Sequence, residues 1–202
     1  FAWHSITTEQ MLDYMKPNLI EKYPGKMSWA EVREWVYGSG IPEDAPLPES
    51  PRFDAIDKQR GEFLAGTLAA GQLDAKGWNT QEWMYFLDRL PDAPALDRMQ
   101  QLDAAWHLTG TPNAEIGMRW YSHAIAAGDK AVWDAAAEHM IRIGRIYLTT
   151  PLYKAFVKTP EGLAFAEQVY AKARAGYHPL TQQVVEGILA KAKQPKQADK
   201  PE

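Results

Sequence analysis

The chain has 202 residues, with 22 Lys plus Arg against 26 Asp plus Glu, and so a net charge of −4. This mildly acidic balance lacks the basic footprint of a nucleic-acid binder, and a composition 46% apolar and 24% charged excludes global disorder. The absence of cysteine removes disulfides, iron–sulfur ligation and thiol nucleophiles, and it suits the cytosol and an exported or periplasmic setting alike.

Helical signals then run along the chain. Phe1-Ala2-Trp3 has no signal-peptide layout, and a start at Phe rather than Met leads us to expect a further N-terminal portion. Thr7 with Gln10 forms a capping box, followed by Met11, Leu12, Met15 and Leu19 at helical spacing, with a kink or break expected at Pro17. Ser28 with Glu31 is a second capping box, opening a helix that runs to Gly38-Ser39-Gly40. Residues 39–51, with Pro42, Pro46, Pro48 and Pro51, read as an extended linker and a domain boundary.

Eight helices are expected beyond it. One runs from Pro51 to about Gly71. The next starts at Asn79 or Thr80, with Trp83, Phe86, Leu87 and Leu90 on one face, and a third starts near Pro94, with Leu96, Met99, Leu102 and Trp106. Others follow Thr111-Pro112, Asp129, Thr150-Pro151, Thr159-Pro160 and His178-Pro179. Three of these starts read Thr-Pro, a cap followed by proline at the first helical position. Short breaks make consecutive helices antiparallel neighbours. The expected fold is therefore all-α, a two-layer right-handed α-α superhelix of the armadillo or HEAT kind over residues 52–193. Residues 194–202 form a polar, proline-containing tail, expected to be disordered. No apolar run approaches the roughly 20 residues of a membrane-spanning helix.

Few residues suggest chemistry. His4, His107, His123, His139 and His178 include no H-E-x-x-H pattern and no i, i+4 pair, so no local metal site is expected. His139 falls on an apolar stripe and reads as core. Ser122 and His123 point about 100° apart on a helix and are no nucleophile–base pair. The acidic pairs Glu31/Glu34 and Asp54/Asp57 lie on single helix faces and read as solvated surface. Trp83, Trp106, Trp120 and Trp133 read as core anchors rather than a groove lining. The segment Arg142 to Lys154 is different, because it ends one helix and starts another while carrying Arg142, Arg145 and Lys154. A guanidinium there could grip a carboxylate through two parallel hydrogen bonds, or could complement the negative end of a helix, which is the commoner use.

Several blocks resemble a known family. Phe1 to Thr8 followed by Trp35 to Pro42 is similar to the junction between catalytic and C-terminal domains in leukotriene A(4) hydrolase-type zinc aminopeptidases, gluzincins of peptidase family M-one. Asn113 to Ile116 with Arg119-Trp120, Gly144-Arg145 through Thr150 to Lys154, and His178 to Thr181 continue the resemblance in order. It covers nearly the whole chain apart from the tail and residues 65–80.

The resemblance implies that residues 1–38 are the last helices of a thermolysin-like zinc domain, 39–51 the linker, and 52–193 the C-terminal helical domain. Zinc, its ligands and the catalytic residues would lie before Phe1, so this chain would hold no metal and be inactive alone. Its partners would be its own N-terminal and catalytic domains and short peptide substrates. The family's C-terminal domain walls the active-site cleft and supplies an arginine for the substrate carboxylate, a position matched by Arg145. The lysine that usually assists two residues later is here Tyr147, which leaves a neutral hydroxyl in place of a cation. A different expectation from the same helical pattern is a stand-alone helical-repeat scaffold that binds a partner protein on its concave face.

Overall fold

The computed structural model describes residues 2–43, 45–46 and 49–194. The chain separates into two compact units, one ending at Glu49 and the other starting at Ser50. Among the described residues all regular structure is helical. Parts of the expected linker (residues 44, 47 and 48) and of the expected tail (195–202) lie outside the described residues.

In the first unit, α1 (Thr8–Met15) starts where its capping box predicts. Thr7 Oγ1 accepts from the Gln10 amide at 3.2 Å, and Gln10 Oε1 accepts from the Thr7 amide at 2.9 Å. Pro17 does not break the chain. It sits in a single π-helical stretch, Lys16–Ile20, closed by the Glu21 amide on the Lys16 carbonyl at 2.9 Å. Wider i→i+5 bonding absorbs the amide that proline lacks. Helix α2 (Trp29–Tyr37) has the Ser28/Glu31 box at its start, and the Tyr37 hydroxyl donates to Glu9 at 3.3 Å. Leu12 and Val32 are buried, whereas Met11, Leu19, Trp35 and Val36 are exposed.

The second unit holds α3 (Pro51–Ala65), α4 (Thr80–Asp88), α5 (Leu96–Trp106), α6 (Ala114–Ala126), α7 (Trp133–Arg142), α8 (Ile146–Phe156), α9 (Pro160–Ala173) and α10 (Pro179–Lys193). The eight expected helices are present, with three boundaries corrected. Helix α3 ends at Ala65 rather than near Gly71. Gly66 adopts φ 82°, and the Thr67 and Leu68 amides fold back onto the Glu62 carbonyl, a left-handed glycine stop. Helix α6 begins after Asn113, whose Oδ1 accepts from the Glu115 amide at 3.0 Å, so Thr111-Pro112 lies before the cap.

The third correction is the start of α8. The Thr150-Pro151 pair imitates a helix start, yet the helix begins at Ile146 with Pro151 inside it. An interior proline costs about 3 kcal/mol. Burying Leu148 in the added turn returns roughly 1.5–3 kcal/mol, and the Leu148 and Thr149 amides both bond the Arg145 carbonyl.

The helices stack in two series. Helix α6 packs on α4 and on α8, and α8 on α10, so the even-numbered helices lie side by side; α9 packs on α7 in the other series. Trp120 is fully buried, and its indole N–H donates to Thr109 at 2.9 Å. Trp106 donates to the Ala70 carbonyl at 2.9 Å and meets Trp83 edge-on. Trp133 packs on Phe156 and Phe165. The tryptophans therefore anchor the core, as their spacing suggests.

The turn between α8 and α9 tests how tight this packing is. A Cβ at Gly162 would overlap the Phe156 carbonyl oxygen, while Thr159 Oγ1 caps the Gly162 amide at 3.1 Å. In an open helix, alanine would be better than glycine by about 1 kcal/mol. Here we expect Gly162→Ala to destabilise by about 1–3 kcal/mol, the usual cost of overpacking. Denaturant unfolding measures it, and a variant as stable as the parent would show that the turn yields freely.

Candidate carboxylate-binding site

The corner between α7 and α8 is only three residues long, Ile143 to Arg145. Polar groups from the α9–α10 segment hold it. The Tyr177 hydroxyl donates to the Met140 carbonyl at 2.8 Å, near the end of α7. Thr181 Oγ1 donates to the Gly144 carbonyl at 3.2 Å. A Cβ on Gly144 would stand 3.1 Å from the Gly176 carbonyl oxygen and 3.3 Å from the Tyr177 ring, so close approach keeps glycine here. The Arg145 carbonyl accepts from the Leu148 amide at 3.0 Å and from Thr149 Oγ1 at 3.2 Å.

Arg145 is thus fixed through its backbone while its side chain points into solvent. It is exposed and has no ion pair or side-chain hydrogen bond among the described residues. Its guanidinium carbon lies 5.9 Å from the centre of the Tyr147 ring. Arg145 is the N-cap of α8, not a last-turn residue of α7, so it does not complement a negative helix end. Helix α8 has no side-chain cap and no acidic residue in its first turn, which leaves the positive end of its dipole facing the same corner. Lys154, expected one turn into this helix, lies in its last turn, and Arg142 lies in the last turn of α7.

Tyr147 is 48% exposed. Its hydroxyl oxygen accepts from Arg119 Nη2 at 3.2 Å. Arg119 comes from α6, and only 9% of its side chain is exposed. Its Nε donates to Asp88 Oδ1 at 2.6 Å, and its Nη1 donates to the Glu115 carboxylate at 2.9 Å and the Glu115 carbonyl at 3.0 Å. Burial alone would push the Arg119 pKa down, but its hydrogen bonds to Asp88, Glu115 and Tyr147 hold it above the ordinary arginine value. Sequence reasoning gave this arginine no role. The available signal was the i, i+4 spacing of Glu115 and Arg119 on a stripe with Ile116 and Trp120.

The histidines lie elsewhere. His139 is 3% exposed, meets the Tyr121 ring edge-on at 5.4 Å, and has no partner for either ring nitrogen. Burial, with the nearby Arg142 charge, lowers its pKa from 6.5 to about 4. His178 caps α10, its Nδ1 accepting from the Leu180 amide at 3.2 Å. Among the described residues no three His, Asp or Glu side chains converge as metal ligands would, so these residues do not fit a zinc site.

Comparison with known proteins agrees with this architecture. Residues 78–189 match the family described as leukotriene A4 hydrolase, C-terminal. A leucine aminopeptidase 2 from Sclerotinia sclerotiorum is 27% identical over 165 residues, 77% of this chain and 26% of that protein. A leukotriene A-4 hydrolase homolog from Botryotinia fuckeliana is also 27% identical, over 77% of this chain and 24% of its own length. The chain therefore spans about a quarter of the length of these curated relatives. The solved structure of native yeast LTA4 hydrolase shares the fold, with a TM-score of 0.71 at 18% identity, over 90% of this chain and 32% of the yeast chain.

The buried imidazole makes a pH prediction. Between the unfolded value of 6.5 and the folded value of about 4, the unfolded chain binds the His139 proton and the folded chain does not. Stability should fall as pH drops through that window, by up to about 3 kcal/mol from this group. His139→Leu should flatten that part of the stability–pH curve in denaturant titrations. An unchanged slope would mean that His139 is hydrated in the folded state.

Proposed function

Because the chain belongs to the leukotriene A4 hydrolase C-terminal family, we propose that it is the non-catalytic C-terminal part of a zinc aminopeptidase that removes N-terminal residues from short peptides. In this reading the stacked helices of residues 52–193 are the two-layer superhelix that walls one side of the active-site cleft. Residues 1–38 are the last helices of the catalytic domain, and 39–51 the linker. The exposed Met11, Leu19, Trp35 and Val36 support this assignment, since such side chains suit a face that a larger domain covers.

The zinc and its chemistry belong to the catalytic domain, and no step of the reaction is assigned to residues of this chain. Its contribution is positional. Arg145 binds the carboxylate at the far end of the peptide, with Tyr147 beside it as a neutral donor. The observation that carries this reading is an arginine whose backbone is pinned on both sides and whose guanidinium makes no ion pair or hydrogen bond among the described residues. The backbone is already ordered when an anion arrives, so only the side chain has freedom left to lose.

In the complete protein that carries this chain, Arg145→Ala should reduce kcat/KM for tripeptides by about 2–4 kcal/mol of transition-state binding. An aminoacyl arylamide, which has no carboxylate at that end, should lose far less. Steady-state kinetics on both substrates decides the matter, and equal losses would remove the carboxylate anchor.

A further inference from the structure

The hydrogen bond from Arg119 to Tyr147 has a consequence for which peptides the corner accepts. A phenol can donate one hydrogen bond and can also accept. In Tyr147 the oxygen already accepts from Arg119 Nη2 at 3.2 Å. Arg119 cannot swing away, because Asp88 on α4 and Glu115 on α6 hold its other donors at 2.6 and 2.9 Å. The Arg145 guanidinium carbon lies 5.9 Å from the centre of the Tyr147 ring. The phenolic proton is thereby directed away from Arg119, on a side chain that is 48% exposed.

We propose that Arg119 is a positioning residue that fixes Tyr147 as an outward hydrogen-bond donor, and so selects peptides ending in a free carboxylate over those ending in an amide. This rests on the carboxylate-binding role given to Arg145 above. A carboxylate only accepts, and so meets both Arg145 and the phenolic proton favourably. A terminal amide carries an NH2 that also donates. Where that NH2 faces the phenolic proton, two donors meet and the hydrogen bond is lost. A phenol released from Arg119 could turn to accept from the NH2, and discrimination would weaken. Both Asp88 and Glu115 serve the neutralisation of Arg119, so Arg119 reaches the ligand only through the phenol.

The test uses the complete protein and two tripeptides that differ only in a C-terminal carboxylate or carboxamide, and it reads the acid-over-amide ratio of kcat/KM. Tyr147→Phe should lower that ratio about threefold to tenfold, the range for one lost hydrogen bond. Arg119→Lys keeps the buried charge but loses the planar fork, and should lower the ratio by a similar factor. In the Tyr147→Phe background, Arg119→Lys should change the ratio no further, because its effect passes through the phenol. Independent, multiplying effects of the two substitutions would overturn the proposal, as would an Arg119→Lys ratio equal to the parent's. If Arg119→Lys fails to fold, Asp88→Asn, which loosens the same guanidinium from α4, must lower the ratio, and an unchanged ratio overturns the proposal. Arg145→Ala separates the two claims. If that change leaves the ratio intact, the carboxylate reading itself fails. If it collapses the ratio while Arg119→Lys does not, only the role of Arg119 fails.

Discussion

A guanidinium taken almost wholly out of water must be neutralised nearby, or it costs several kcal/mol. Arg119 meets this demand with groups from three helices. Asp88 is the last residue of α4, Glu115 lies in the first turn of α6, and Tyr147 lies in the first turn of α8. Satisfying one buried cation therefore requires the C-terminal end of α4, the N-terminal half of α6 and the start of α8 to be side by side. Apolar packing of α6 against α4 and α8 supplies the attraction, but it is tolerant of small slides along the axes. A hydrogen-bonded charge is not, because a shift of one turn would leave a carboxylate or the guanidinium unpaired.

The α7–α8 corner uses the same logic with neutral groups. A three-residue connection between helices leaves carbonyls of α7 without intrahelical partners. Tyr177 and Thr181 bond the Met140 and Gly144 carbonyls. The Tyr177 hydroxyl also meets that of Tyr153, 3.3 Å away in α8. The backbone around Arg145 is therefore tied to α8 and to the start of α10 at once. Its side chain is left out of all of these bonds, which separates the part of the residue that gives position from the part that can bind.

How much of this the amino-acid sequence shows depends on how local each cause is. The boxes at Thr7/Gln10 and Ser28/Glu31 are legible because both partners lie within one turn, and α9 begins at Thr159-Pro160 for the same reason. The pair Thr150-Pro151 carries an equally good local signal and is not a start, since burial of Leu148 against the core extends the helix upstream. Arg145 could be singled out because it lies between two helices and its block resembles a known family. Arg119 also falls in a resembling block, but its tie to Tyr147 is not legible, because two of its three side-chain partners are remote. Asp88 is 31 residues away and Tyr147 is 28. Only the Glu115 contact has a spacing that a helix makes visible.

Charge decides which group in this cluster can attract an anion. Asp88 and Glu115 bring two negative charges to the single positive charge of Arg119, so that group is net negative and offers an anion no attraction of its own. Arg145 is the cation of the cluster that makes no ion pair among the described residues, and the positive end of the α8 dipole adds to it. Yet a water-exposed guanidinium gains only about 0–1 kcal/mol from a carboxylate. An anchor worth several kcal/mol needs the pair to be shielded from solvent, where charges interact more strongly. The corner described here supplies position and charge but is open to water on the side of Arg145. In the proposed reading that shielding comes from a facing wall; the chain itself spans about a quarter of the length of the relatives it matches. Carboxylate binding at Arg145, in the proposed reading, thus belongs to a closed cleft and not to this helical stack alone.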